Sequence, residues 1–371
     1  MSPWKAAQPG DPVSAIDTPA LVLDLDAFER NLQRMADALR GSKVRLRAHA
    51  KSHKCPEIAL RQVALGAIGI CCQKVGEAAV FVDAGIADVL VTNQVMGETK
   101  LRRLAPLARR ARIGVLVDHP LQVRALSVAA TAHQVTLDTY VEVNVGADRC
   151  GVAPGEDAVQ LARQIAASPG LRFAGLQCYQ GPAQHLRAPQ ARRDAIASAC
   201  EAARMTARAI EACGIAVERI TGAGTGTFVH ERDSGVFNEI QAGSYVFLDR
   251  DYGDNQRGEG DVGFEHALFV RTTVISRATA GRAIVDAGLK ASSVDSGLPT
   301  LWGRPDLRYV KAADEHGVLA TPDAAAVSIG DTLLLVPGHC DPTVNLYDDL
   351  VCVRGGLVEA LWPIAARGAL L

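Results

Sequence analysis

One pattern constrains this chain more than any other. From about residue 44, a short apolar run is followed by a polar or glycine residue and then by an amphipathic stretch, and the unit recurs. The runs are 44–50, 68–72, 89–92, 113–117, 139–143, 173–178, 219–221 and 239–242, eight in all. Short apolar runs bounded by turn signals read as buried parallel strands. The intervening stretches carry helix punctuation. Residues 55–65 open with Pro56 and stop at Gly66. Residues 190–213 carry Ile196, Ala199, Ala203, Ala207 and Ile210 at helical spacing before Gly214. Eight such units predict a (β/α)8 barrel. The alternative is an open doubly wound sheet, which usually has fewer strands.

Outside the repeat the texture differs. Ala20–Asp24 reads as a strand, followed by a helix capped by Asp26 with Glu29 three residues on. Phe28, Leu32, Met35 and Leu39 share one face of that helix. Beyond about residue 260 the helical periodicity fades into short runs at 268–275, 283–285, 332–336, 350–353 and 357–362. The expected fold is α/β: a (β/α)8 TIM-like barrel over 26–260 and a mainly β second domain over 261–371 with 1–25.

Composition removes several function classes. A net charge of −2 leaves no basic excess for nucleic acid or an anionic membrane. Residues 1–12 lack the basic start and apolar core of a leader, and no apolar run reaches the roughly 18 residues of a membrane span. The nine cysteines are odd in number and show no C-x-x-C spacing, against a disulfide framework or a structural zinc site. A cytoplasmic chain without nucleic-acid or membrane partners is expected.

In such a barrel, chemistry sits at the C-terminal strand ends. Those positions are Lys51, Gln73, Asn93, Asp118, Asn144, Tyr179, 222–226 and Ser244. A partly desolvated Lys51 would have a lowered pKa and act as a nucleophile toward a carbonyl; the alternative is a solvated loop lysine. Lys54, at a helix start, should point away. Gly222-Ala223-Gly224-Thr225-Gly226-Thr227 offers backbone N–H groups and hydroxyls to an anion, or is simply a tight turn. In extended backbone, His339 and Asp341 would project to one side and suit a metal with open positions. A His–Asp hydrogen bond at a turn is the commoner result of that spacing. Arg149 could pair with an anionic oxygen, His185 is a candidate base, and Asp314-Glu315-His316-Gly317 is a polar turn or a supporting group.

Taken together, these segments resemble the D-threonine aldolases and 3-hydroxy-D-aspartate aldolases, pyridoxal-phosphate enzymes of alanine-racemase-like fold. The matching segments run from Asp17-Thr18-Pro19 to Ala365-Ala366-Arg367-Gly368. They include His49-Ala50-Lys51, Gly69-Ile70-Cys71-Cys72-Gln73-Lys74-Val75, Gln241-Ala242-Gly243-Ser244-Tyr245, Asp286-Ala287-Gly288-Leu289-Lys290 and Pro337-Gly338-His339-Cys340-Asp341-Pro342-Thr343. The resemblance implies that Lys51 carries pyridoxal 5'-phosphate. It implies that the loop Gly222, Ala223, Gly224, Thr225 and Gly226 holds the phosphate, and that Thr221, Gly243, Ser244 and Tyr245 also bind the cofactor. Gln73, Arg149 and Tyr179 would line the cofactor ring, His185 would be the base, and His339 and Asp341 would bind the metal. It also implies a homodimer and places Ala20–Asp24 with the β domain.

Two departures matter. Related dehydratases tend to carry His-x-Cys, which suits zinc. The His339-Cys340-Asp341 motif offers a carboxylate, which suits Mg²⁺ or Mn²⁺ and favours an aldolase. Cys340 remains a possible ligand if the backbone is not extended. Ala223 stands where relatives often have Gly. The implied reaction is cleavage of D-3-hydroxyamino acids, such as 3-hydroxy-D-aspartate or D-threonine, to glycine and an aldehyde. The rivals are a dehydratase or racemase on the same scaffold, a cofactor-free Schiff-base aldolase, and a cofactor carrier. Arg304 and Arg308 are candidates for a β-carboxylate.

Overall fold

All eight apolar runs become strands, in order and parallel. The computed structural model describes residues 4–321 and 327–371, so the first three residues of the 1–12 segment lie outside it. Arg45–Leu46 and Ala48–His49 are two halves of one strand, broken at Arg47. The first half pairs with Glu239–Ile240 and the second with Ile70–Cys72. That strand therefore closes a ring through Asp88–Gln94, Arg112–Val117, Leu137–Glu142, Leu171–Cys178 and Arg219–Gly222. Closure continues from Arg47 N to Ile240 O at 2.9 Å and from His49 N to Ala242 O at 3.2 Å. A closed ring excludes the open sheet.

The period of two along each strand decides what faces the barrel axis. Arg47, almost fully buried, donates to Glu239 Oε1 at 2.9 Å and to Asp88 Oδ1 at 2.6 Å near the N-terminal end. Cys71, Leu90, Leu116, Tyr140 and Ala174 pack together inside. Toward the C-terminal end the inward residues are polar: His49, Thr92, Gln177 and Gln241. The helix Pro56–Ala64 begins one residue after Cys55, and Pro189–Glu211 ends before Gly214, whose φ of +79° few other residues adopt cheaply.

The remaining strands form one largely antiparallel sheet. Its main path runs Arg308–Ala312, Gly317–Ala320, Arg282–Val285, Leu268–Thr279, Ala20–Asp24, Asp349–Arg354, Leu357–Pro363, with Thr332–Val336 branching from Leu268–Thr279. Ala20–Asp24 lies in this sheet, antiparallel to Leu268–Thr279 and parallel to Asp349–Arg354. The helix Leu25–Leu39 follows without a linker. Its cap is therefore Asp24, which accepts from Ala27 N at 3.0 Å, and not Asp26 as expected from the sequence. Asp26 and Glu29 instead meet Arg354. Asp314–Gly317 is the turn between Arg308–Ala312 and Gly317–Ala320, with exposed Glu315 bonded to Lys290 at 2.6 Å.

The β-sheet unit reaches the barrel mouth through the helix Cys340–Val344. Lys54, which points away from the barrel axis, donates to Asn345 Oδ1 at 2.9 Å, just beyond that helix. Ala366 N donates to Lys54 O at 3.0 Å. These bonds hold the helix against the turn Ala50–Ser52 that follows the first barrel strand.

Candidate active site

At the C-terminal end of the barrel, His49, Lys51, Ser52, Gln73, Arg149 and Tyr179 line one wall of a cavity of about 590 Å³. Ala223, Gly224, Thr225, Gly243, Ser244 and Tyr252 line another. Lys51 lies on a single 3-10 turn at the strand end, so its side chain rises over the mouth.

Lys51 Nζ donates to the Asp341 carboxylate of the same chain. Burial would lower the Lys51 pKa, but the carboxylate outweighs it and raises the pKa above the ordinary lysine value. This corrects the expectation of a depressed lysine: without a neighbouring anion desolvation wins, and here the anion is in contact. For Asp341, burial works upward, while Lys51 and His339 bring its pKa well below the carboxylate range.

His49 is set by the same turn. Its Nδ1 accepts the Lys51 backbone N–H at 3.3 Å, which leaves the ring proton on Nε2, 2.9 Å from Thr92 Oγ1. Burial and the Lys51 charge push its pKa far down, so the imidazole is neutral. His49, Ser52, Thr92, Gln177, Gln241 and Tyr252 were not picked out as pocket residues from the sequence. Gln177 and Gln241, which bond each other at 2.7 and 3.0 Å, carried the clearest signal: amides in apolar runs, Gln177 one residue before the end of its strand and Gln241 one residue after its own.

The glycine-rich loop divides. Ala223 (φ +69°), Gly224 and Thr225 face the cavity. Thr225 Oγ1 is buried and has no hydrogen-bond partner among the described residues. A Cβ on Gly224 would stand 2.5 Å from Gln184 Oε1, and one on Gly243 would stand 2.5 Å from His49 O, so backbone closes tightly here. An unpaired buried hydroxyl on a glycine-rich turn that faces the cavity fits a phosphate. Four sequence assignments do not fit the wall. Thr221 Oγ1 faces the barrel interior and donates to Glu239 Oε1 at 2.9 Å. Gly222 is a packing glycine, since a Cβ there would lie 2.2 Å from Cys178 O. Gly226 N donates to Gln184 Oε1 at 3.0 Å and faces an adjoining cleft. The Tyr245 side chain points into the core, accepting from Gln62 Nε2 at 3.1 Å and packing on Phe264. Gly222, Gly226 and Tyr245 each lie one residue from a residue that does line the wall, and Thr221 lies two.

His339 and Asp341 converge, by a different route from the one expected. The backbone is extended at His339, but a helix starts at Cys340 and places Asp341 in its first turn. His339 Nε2 and Asp341 Oδ1 are 3.9 Å apart, a gap that two bonds of about 2.1 Å to one ion can span. Cys340 is buried, burial pushes its thiol pKa well up, and its Sγ donates to Asp341 Oδ1 at 3.4 Å. An imidazole and a carboxylate with open positions suit a divalent ion completed by water and substrate. His185 is not part of the wall. It lies against Tyr252, ring centroids 5.9 Å apart, and its Nδ1 bonds Asp251. Arg149 lines the cavity over Tyr179, 3.8 Å from Glu142. Neither Arg304, bonded to Asp306, nor Arg308 lines it. Asp118, Glu142 and Cys150 also cluster at the mouth, where the Gln94 amide bridges the two carboxylates.

Comparison with known proteins agrees with this architecture. The family model described as alanine racemase, N-terminal domain, matches residues 23–251, and a putative serine dehydratase domain matches 267–353. The chain is 49% identical to a D-threonine aldolase of Arthrobacter sp, covering 98% of this chain and 96% of the relative. It is 46% identical to a 3-hydroxy-D-aspartate aldolase of Paracoccus denitrificans (strain Pd 1222), covering 98% and 95%. The crystal structure of D-threonine aldolase from Filomicrobium marinum superposes with a TM-score of 0.97 at 52% identity, covering 99% and 100%. A D-threo-3-hydroxyaspartate dehydratase of Delftia sp. HT23 is more distant, at 28% identity and a TM-score of 0.85, covering 95% and 98%. The chain belongs to the family of D-threonine aldolases and 3-hydroxy-D-aspartate aldolases, carbon–carbon lyases on an alanine-racemase-like barrel.

Proposed function

We propose that this lyase uses pyridoxal 5'-phosphate and a divalent ion, Mg²⁺ or Mn²⁺, to cleave D-3-hydroxyamino acids to glycine and an aldehyde. The observation that carries the reading is the contact of the Lys51 amine with Asp341, next to His339 and above the loop with the unpaired Thr225 hydroxyl. Bound there, the cofactor supplies an electron sink for cleavage at Cα and the ion a Lewis acid for the β-hydroxyl.

The chain's own groups then have defined tasks. Lys51 presents the amine, while Thr225 Oγ1 and the adjacent backbone N–H groups hold the phosphate. Gln73, Arg149 and Tyr179 flank the ring. His339 Nε2 and the Asp341 carboxylate hold the ion. His185, with Nδ1 committed to Asp251, has Nε2 as its proton-accepting nitrogen at the rim beside Tyr252. In the overall change the β-hydroxyl loses its proton, the Cα–Cβ bond breaks, Cβ leaves as the aldehyde and Cα gains a proton. The chain acts as a homodimer in this reading, with the barrel at 26–260 and the β unit at 261–371 with 1–25. Among the described residues no helix is long and apolar enough to cross a membrane.

Product analysis tests the reading. D-3-hydroxyaspartate should give glycine and glyoxylate, and D-threonine should give glycine and acetaldehyde, both lost on chelation and restored by Mn²⁺. Oxaloacetate and ammonia would establish the dehydratase. Turnover by a colourless protein would establish a cofactor-free aldolase.

A further inference from the structure

We infer that Asp295 is the positioning residue that presets His339 as a metal ligand; the inference rests on the proposed metal site. Asp295 Oδ2 lies 2.7 Å from His339 Nδ1. An ionised carboxylate can only accept, so Nδ1 carries the proton in this contact. The other nitrogen, Nε2, is the one facing Asp341. The ring is thus held in the orientation and protonation pattern that metal ligation requires, and a carboxylate behind an imidazole ligand raises its basicity.

The loop that brings Asp295 is itself fastened to the metal-site helix. Ser293 Oγ donates to Asp295 Oδ1 at 2.7 Å. Ser293 N donates to Thr343 Oγ1 at 3.1 Å, and Thr343 Oγ1 donates to the His339 carbonyl at 2.8 Å. The two segments, some 44 residues apart in sequence, therefore move as one piece. A carboxylate that served only the surface would not need this closed set of bonds to the ligand's own backbone.

The test is equilibrium Mn²⁺ binding to chelator-stripped protein still carrying pyridoxal phosphate, with free Mn²⁺ read by electron paramagnetic resonance. Asp295→Ala should weaken Mn²⁺ binding by about 10–100-fold. Asp295→Asn, which retains an acceptor oxygen without the charge, should recover part of that loss. Visible cofactor absorbance and the melting temperature should stay as in the parent, which a merely structural role for Asp295 would not allow. Mn²⁺ affinity within about twofold of the parent in both variants would overturn the inference; Asp295→Asn alone decides if the alanine variant does not fold. His339→Ala separates the two levels. If it abolishes binding while the Asp295 variants do not weaken it, only the positioning role fails. If it binds Mn²⁺ as the parent does, the proposed metal site fails with it.

Discussion

Lys51 and Asp341, 290 residues apart, meet within one chain, so the barrel lysine and a carboxylate from the β-sheet unit stand at one site. The contact explains why Lys51 stays protonated despite burial and why Asp341 stays ionised. In the proposed function it also sets a metal-binding carboxylate beside the cofactor-bearing amine.

Lys51→Ala should abolish the visible absorption that pyridoxal phosphate gives on binding. Borohydride reduction of the parent should leave a cofactor mass on the peptide containing Lys51. Label on Lys54 instead would refute the assignment, and the structure opposes it because Lys54 is turned to Asn345 and Glu77.

Asp341→Ala removes both a metal ligand and the partner of Lys51. Metal-stimulated kcat/KM should fall by more than about 100-fold, beyond what loss of an outer partner costs. Steady-state kinetics across a Mn²⁺ titration checks this; a Mn²⁺ dependence matching the parent would mean that Asp341 is not a ligand.

Thr225→Ala probes the phosphate cradle. Among the described residues the hydroxyl has no hydrogen-bond partner, so its loss should leave the melting temperature of the cofactor-free protein unchanged or higher. Cofactor affinity should drop by about tenfold, the worth of one hydrogen bond to a charged group. Unchanged affinity, measured by fluorescence quenching, would move the phosphate elsewhere.

His185→Ala should lower kcat by roughly 10²–10⁴-fold while cofactor and Mn²⁺ still bind. Retained kcat would leave proton transfer to a group within the cavity wall.

Glu231 gives the chain a built-in pH dependence. Burial holds its carboxyl at about 7, against an ordinary value of 4.5. Between those values the folded state binds more protons than the unfolded state, so stability falls as pH rises through the window and levels off above it. Glu231→Gln keeps an acceptor for the Thr227 hydroxyl and removes the titration. Its stability should match the parent near pH 4.5 and exceed it above pH 7 by roughly 1–3 kcal/mol, seen as a higher melting temperature. Parallel curves for the two proteins would sink the assignment.

Much of this molecule is written locally. Each barrel strand is an apolar run and each helix is marked by a proline, a glycine or an i, i+4 face, so the eightfold repeat follows from near-neighbour chemistry. Lys51 at the first strand end and the His339–Asp341 pair are legible for the same reason. What lies across the fold is not. The Asp24 cap lies two residues before the expected Asp26, and the Thr221 and Tyr245 side chains turn away from the cavity wall, which the meeting of strand and turn decides. Asp295 carries no motif at all. Its contact with His339, like that of Lys51 with Asp341, exists only because the sheet folds back over the barrel mouth, where burial and opposed charges make proximity matter.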